Sequence, residues 1–205
     1  LFCQGENCSA GSRLIVEEPV RERLMEALRA EFATWKVGDP LSTDTRVGAM
    51  IEEKHLNKVT GLIARGVAEG GRITFGGRRV LEETGGYFVE PTIIEDVTND
   101  STIAREEIFG PVLSVIPVRD EDEALRVAND TAYGLAASVY TDNLNVAHRL
   151  ARGIRAGTVS VNCFSEGDFA MPFGGYKQSG FGGRDKGLAA HDQYLETKSI
   201  WIQLR

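Results

Sequence analysis

The chain has 205 residues, 42% of them hydrophobic, with 23 Lys and Arg against 30 Asp and Glu and a net charge of −7. That is enough chain for one well-buried domain and too little for two large ones. Its basic residues are interleaved with acidic ones and no apolar run is long enough to span a bilayer, so neither nucleic acid nor a membrane is implied as a partner.

Near the start, Gly5-Glu6-Asn7-Cys8-Ser9-Ala10-Gly11-Ser12-Arg13 sets a cysteine among small residues, behind a glycine that permits a tight turn. This is how a reactive thiol is presented. The same residues also suit a buried cysteine packed as a small hydrophobe, and both readings stand at this point. Cys3, Cys8 and Cys163 cannot all pair and match no zinc spacing, so neither a disulfide framework nor a metal site is expected, and a reducing cytoplasm fits best.

Residues 13–17 form a short apolar run with a β-branched pair, read as a buried strand. A helix follows from Pro19, with Val20, Leu24, Leu28, Phe32 and Trp35 on one core-facing stripe, until Gly38-Asp39-Pro40 stops it. The next helix is expected over 53–69, with Leu56, Val59, Ile63 and Val67 on its buried face and Gly70-Gly71 at its end. A strand at 72–75 precedes a polar stretch, read as a surface loop, and extended structure resumes at 87–91, where Pro91 keeps Glu90 out of helix. None of the glycine pairs has the spacing of a phosphate-binding loop. From Gly110 the order is strand 112–118, helix 121–129, strand 135–140, helix 143–154 and strand 158–161, a β-α-β alternation that predicts an α/β fold with a mostly parallel sheet and flanking helices. A short helix over 184–191 then leads to a last strand at 196–204.

Two further motifs follow the cysteine at long intervals: Glu106-Glu107-Ile108-Phe109-Gly110-Pro111-Val112 and Pro172-Phe173-Gly174-Gly175-Tyr176-Lys177-Gln178-Ser179-Gly180. Together, in this order and over nearly the whole chain, they resemble the aldehyde dehydrogenase superfamily. The resemblance implies that Cys8 is the catalytic thiol, that Glu107 and Phe109 hold the nicotinamide end of NAD or NADP, and that His55 and Lys58 contact its ribose. An exposed helix face would explain His55 and Lys58 nearly as well. A Gln is usual in the family where this chain has Glu6, which places a negative charge near the sulfur. The implied chemistry is thiol attack on an aldehyde, loss of hydride to the cofactor and hydrolysis of the thioester, with the Cys8 N–H as one oxyanion donor. The family's general-base Glu and oxyanion Asn lie upstream of its cysteine and outside this sequence.

Glu166-Gly167-Asp168 before the Phe173 loop, and Gly182-Gly183-Arg184-Asp185-Lys186 after it, are most similar to members acting on ω-amino or guanidino aldehydes. The resemblance therefore implies Glu166, Asp168 and Phe173 as substrate-facing residues. It also implies a catalytic domain over 1–193, a C-terminal oligomerisation strand over 194–205, and a homodimer or homotetramer. The chain begins with Leu and is read as a C-terminal piece whose dinucleotide-binding domain lies elsewhere. The alternative is a catalytically inert assembly fragment of such an enzyme.

Overall fold

The computed structural model describes residues 1–164 and 167–205. They divide into two compact units, Leu1–Thr131 and Ala132–Arg205. No helix among the described residues is long and apolar enough to cross a membrane.

The first unit is built on a four-stranded sheet of β1 (Arg13–Glu17), β2 (Arg72–Phe75), β5 (Thr92–Glu95) and β6 (Val112–Val118), in the order β1-β6-β5-β2. Strand β6 runs parallel to both β1 and β5, and β2 closes the edge antiparallel to β5. Helix α1 (Glu18–Ala33) covers one face, where Met25 and Phe32 meet Val16, Ile93 and Val115. On the other face, α2 (Glu53–Ala68), α3 (Thr102–Arg105) and α4 (Glu121–Asn129) place Leu56, Val59, Ile63, Ile103 and Val127 against Ile94, Val112, Ile116 and Val118. Neighbouring residues of a strand thus serve opposite faces, and β6 reads as an apolar run because both of its faces are covered.

Several local expectations are corrected. Helix α1 ends at Ala33 rather than at Gly38, and Val20 is exposed. Trp35 lies beyond the helix, its indole N–H donating to Glu31 Oε1 at 3.0 Å and the Arg46 guanidinium 5.2 Å from its ring centre. In α2, Gly66 is buried and Val67 exposed, because Leu56, Val59, Ile63 and Gly66 keep the three- and four-residue steps and Gly66 receives Ile103. Within the polar stretch, β3 (Arg79–Val80), too brief to leave a period-2 signal, forms a short hairpin with β4 (Phe88–Val89), which lies in the segment expected to be extended.

Helix α3, which delivers the Glu106–Gly110 segment, takes its cap from a distance. Glu69, at the end of α2, accepts the Thr102 N–H at 2.6 Å and the Thr102 hydroxyl at 2.7 Å. These bonds, the hydroxyl one foremost, hold the Glu69 carboxyl below the usual carboxylate range.

In the second unit, β7 (Ala136–Val139) and β8 (Thr158–Val161) run parallel, joined by α5 (Leu144–Gly153), whose first turn is capped by Asn143. A Cβ on Gly157 would lie 1.6 Å from the Gly174 carbonyl oxygen, so the approach of the Phe173 loop to the start of β8 requires glycine there. The expected helix over 184–191 is α6, Gly187–Asp192. Residues 196–205 pair with no strand among the described residues, and Ile200, Trp201, Ile202 and Leu204 are exposed. The alternating apolar residues are present, but a strand needs a neighbouring strand to bond, and these residues have none among the described residues.

Candidate active site

Cys8 is the second residue of a tight turn. The Ala10 N–H donates to the Asn7 carbonyl at 3.0 Å, and Asn7 Oδ1 accepts both the N–H and the hydroxyl of Ser9 at 2.9 and 2.8 Å. Ser9 is buried by these bonds while Cys8 is exposed, which removes the buried-thiol reading. The Cys8 N–H has no acceptor among the described residues, leaving a free donor beside the sulfur. Cys3 and Cys163 are exposed as well, so accessibility alone does not single out Cys8.

The turn is pressed against the second motif. Gly5 adopts φ +75°, and a Cβ on it would lie 2.2 Å from the Gly110 carbonyl oxygen. Only glycine allows that approach in that conformation. On the facing segment, Ile108 is fully buried and acts as the anchor, Glu107 is exposed, and Phe109 is half-buried in the left-handed region at φ +60°. For a side chain of this size that conformation costs on the order of 1–3 kcal/mol, so surrounding contacts must hold it.

His55 and Lys58 supply them. The i, i+3 spacing on α2 puts both on one face. Lys58 Nζ donates to the Glu107 carbonyl at 2.7 Å, and His55 Nε2 stands 2.6 Å from the Phe109 carbonyl. A carbonyl only accepts, so the proton belongs on Nε2. The two rings meet edge to face at 6.2 Å and 74°. His55 is thus part-buried rather than on an exposed helix face, and its Nε2 serves the Phe109 carbonyl. The Glu107 carboxylate has no partner among the described residues and offers two acceptor oxygens.

Glu6 turns its charge to named partners. Its Oε1 accepts the Ile51 N–H at 3.1 Å and lies 3.6 Å from His55 Nε2, with only 13% of the side chain exposed.

In the second unit, the N–H and C=O of Phe173 pair with those of Asp185, both at 2.6 Å. Lys186 Nζ lies 4.9 Å from the Phe173 ring centre and 5.9 Å from that of Phe169. Asp168 Oδ1 accepts the Ala170 N–H at 2.8 Å, and its carbonyl accepts from Met171 at 3.0 Å, so the carboxylate already shapes its own turn. Glu166 lies outside the described residues. No group of three or more His, Cys, Asp or Glu suited to a metal ion occurs among the residues that are described.

The profile of the Aldehyde dehydrogenase family matches residues 1–200. The chain belongs to that family. It is 54% identical over 198 residues to an aminoacetaldehyde dehydrogenase of Pseudomonas aeruginosa, covering 97% of this chain and 39% of that protein. Among solved structures, an indole-3-acetaldehyde dehydrogenase in complex with NAD+ superposes with a TM-score of 0.95 at 52% identity, over 99% of this chain and 41% of that one. A gamma-glutamyl-gamma-aminobutyraldehyde dehydrogenase from Burkholderia cenocepacia gives 0.93 at 53%, over 98% and 41%. The chain thus spans about two fifths of the length of these relatives.

In this aldehyde dehydrogenase chain, the residues singled out from sequence fall into two groups. Cys8, Glu107, Phe109, His55 and Lys58 belong to one arrangement in the first unit, while Asp168 and Phe173 share a loop region in the second. Sequence reading missed the bonding role of Glu6 and the backing that Gly110 gives to Gly5. The glycines were visible as motif letters, but what each one touches was not.

Proposed function

We propose that this chain is the thiol-bearing part of an NAD(P)-dependent aldehyde dehydrogenase that oxidises an aldehyde, and specifically an ω-amino aldehyde, to its carboxylic acid. The observation that carries the reading is the exposed Cys8, with its unbonded N–H, on a turn packed through Gly5 against the segment bearing Glu107 and Phe109.

Cys8 Sγ adds to the carbonyl carbon, and the oxygen of the resulting tetrahedral adduct accepts from the Cys8 N–H. The donor set fits a nicotinamide riboside: a carboxylate free to take two vicinal hydroxyls, and a half-buried ring to confine a planar heterocycle. When bound, the cofactor supplies the hydride acceptor. Water then releases the acid from Cys8, with the base for that water coming from outside this sequence.

Glu107→Gln keeps one acceptor and loses the charge. In the full-length enzyme it is expected to raise KM for NAD about tenfold, the effect of one lost charged hydrogen bond, with alkylation of Cys8 unchanged. Titration of initial rates against NAD checks this, and an unchanged KM counts against the cofactor role.

The amino-aldehyde preference is supported by Asp168 and by relatives named for amino aldehydes. Lys186 already places a cation over the faces of Phe169 and Phe173, so the charge that would favour an ammonium tail is the carboxylate. Asp168→Asn preserves the acceptor that shapes the turn and removes the charge. It is expected to lower the kcat/KM preference for 4-aminobutyraldehyde over pentanal by roughly tenfold or more at low ionic strength. A preference that survives leaves the general aldehyde reading and removes the amino-aldehyde one.

Residues 196–205 are proposed as the assembly strand of a homodimer or homotetramer, on the strength of their exposed Ile200, Trp201, Ile202 and Leu204. Deleting them from the full-length enzyme is expected to shift its sedimentation to smaller species; an unchanged profile refutes this.

A further inference from the structure

Two residues before the thiol, the Glu6 carboxylate is turned toward His55 of α2. Glu6 and His55 are both largely shielded from solvent, at 13% and 14% side-chain exposure, so their contact is less screened than a surface pair. Each is also fastened on its other side. Glu6 accepts the Ile51 N–H, just ahead of α2, and Gln4 reaches its second oxygen at 3.4 Å. His55 donates to the Phe109 carbonyl and touches the Phe109 ring edge to face.

We infer that Glu6 and His55 form a positioning pair that fixes the Phe109 backbone, and through it the ring facing the cofactor, relative to the Cys8 turn. The inference rests on the dehydrogenase reading. The geometry gives three reasons. Phe109 sits in a left-handed conformation that a bulky residue does not hold unaided, and its carbonyl, set by that conformation, is what His55 grips. The Nε2 proton faces two acceptors, the Phe109 carbonyl at 2.6 Å and the Glu6 carboxylate at 3.6 Å, so the carboxylate favours the tautomer that carries this proton. Glu6 is covalently two residues from Cys8, so any shift of the pair is shared by the thiol turn and the Phe109 loop.

His55 thereby becomes a residue that acts through Phe109 rather than one defined by a direct ribose contact. The two roles differ in what Glu6 should do. A direct contact gives Glu6 no part in cofactor affinity, whereas a positioning pair makes the two residues interdependent.

The test uses the full-length enzyme with His55→Ala, His55→Gln, Glu6→Ala and the His55→Ala/Glu6→Ala double variant. Three readouts are taken: the NAD dissociation constant by calorimetry without aldehyde, the urea-unfolding midpoint without NAD, and the steady-state KM for NAD and kcat. His55→Ala and Glu6→Ala are each expected to weaken NAD binding by about five- to tenfold, and the double variant by no more than the weaker single variant. His55→Gln, whose amide N–H can still reach the Phe109 carbonyl, should stay within about threefold of the unmodified enzyme. In steady state the effect should fall on KM for NAD rather than on kcat. The unfolding midpoints should be equally non-additive.

Glu6→Ala with unchanged NAD affinity overturns the inference, as do additive effects or a His55→Gln variant as weak as His55→Ala. An unmodified enzyme that binds no NAD overturns the dehydrogenase reading and this inference together. Normal NAD binding with uncoupled variants overturns only the pairing.

Discussion

Replacing Cys8 with serine is expected to abolish aldehyde oxidation by the full-length enzyme, with kcat/KM falling on the order of 10⁴-fold or more. The substitution changes one atom on an exposed turn whose geometry is set by Asn7, Ser9 and Ala10, so the fold has no reason to respond. What changes is the nucleophile, because a serine hydroxyl without an adjacent base is a poor one at neutral pH. The Cys8 N–H stays in place, which separates the loss of attack from any loss of the oxyanion donor. NAD affinity is expected to stay within about twofold, since Glu107, Phe109, His55 and Lys58 are untouched. Activity above a few per cent of the original would remove Cys8 from the chemistry.

The second large effect is on stability. Gly5→Ala is expected to destabilise the protein by about 2–5 kcal/mol, from two sources that act at the same position. An alanine at φ +75° pays the left-handed penalty of roughly 1–2 kcal/mol, and forcing a methyl into packed structure costs typically about 1–3 kcal/mol. The obstructing atoms are backbone, the Gly110 oxygen at 2.2 Å and its carbon at 2.4 Å, so no side-chain rotation relieves the clash. The Cys8 turn and the Phe109 loop must separate, and cofactor affinity should fall with stability. Gly11→Ala is the control, since its Cβ would meet nothing within 4 Å and its backbone is not left-handed. Chemical denaturation of both variants checks the contrast, and a Gly5→Ala variant as stable as Gly11→Ala would contradict the contact.

Much of the architecture was legible because the signals were local. Strand β6 and helices α2 and α4 carry their burial as apolar runs or helical steps, and Asp120 caps α4 from the adjoining position, accepting the Glu123 N–H at 2.8 Å. Strand β5 was not legible: it begins with Thr92 and ends with Glu95, both buried, and Glu95 is tolerated because Arg21 and Arg29 come from α1 to meet it at 3.2 and 2.9 Å, with Arg72 of β2 at 4.0 Å. Helix α3 was missed for the same kind of reason, since its capping carboxylate, Glu69, lies 33 residues away from Thr102.

The site follows the same division. The motif letters around Cys8, Glu107 and Phe109 were enough to propose roles. They were not enough to see that His55 and Lys58 bind backbone carbonyls 54 and 49 residues further on, or that Glu6 shares His55 with Phe109. Side chains that work on remote backbone leave no periodicity and no spacing. Trp35 is the converse, since it keeps the helical step of the α1 stripe while lying outside the helix.

In the proposed reaction Cys8 carries the substrate's acyl group during turnover. The full-length enzyme, mixed with aldehyde and NAD and quenched with acid in the steady state, should yield on digestion a Cys8 peptide heavier by the acyl mass. The same modification should be missing when NAD is left out and in Cys8→Ser. Cys3 and Cys163 are exposed as well, which makes them internal controls for chemistry against mere access. Acyl mass on Cys8 alone is the predicted result; acyl mass on Cys3 or Cys163, or sustained turnover with alkylated Cys8, would contradict it.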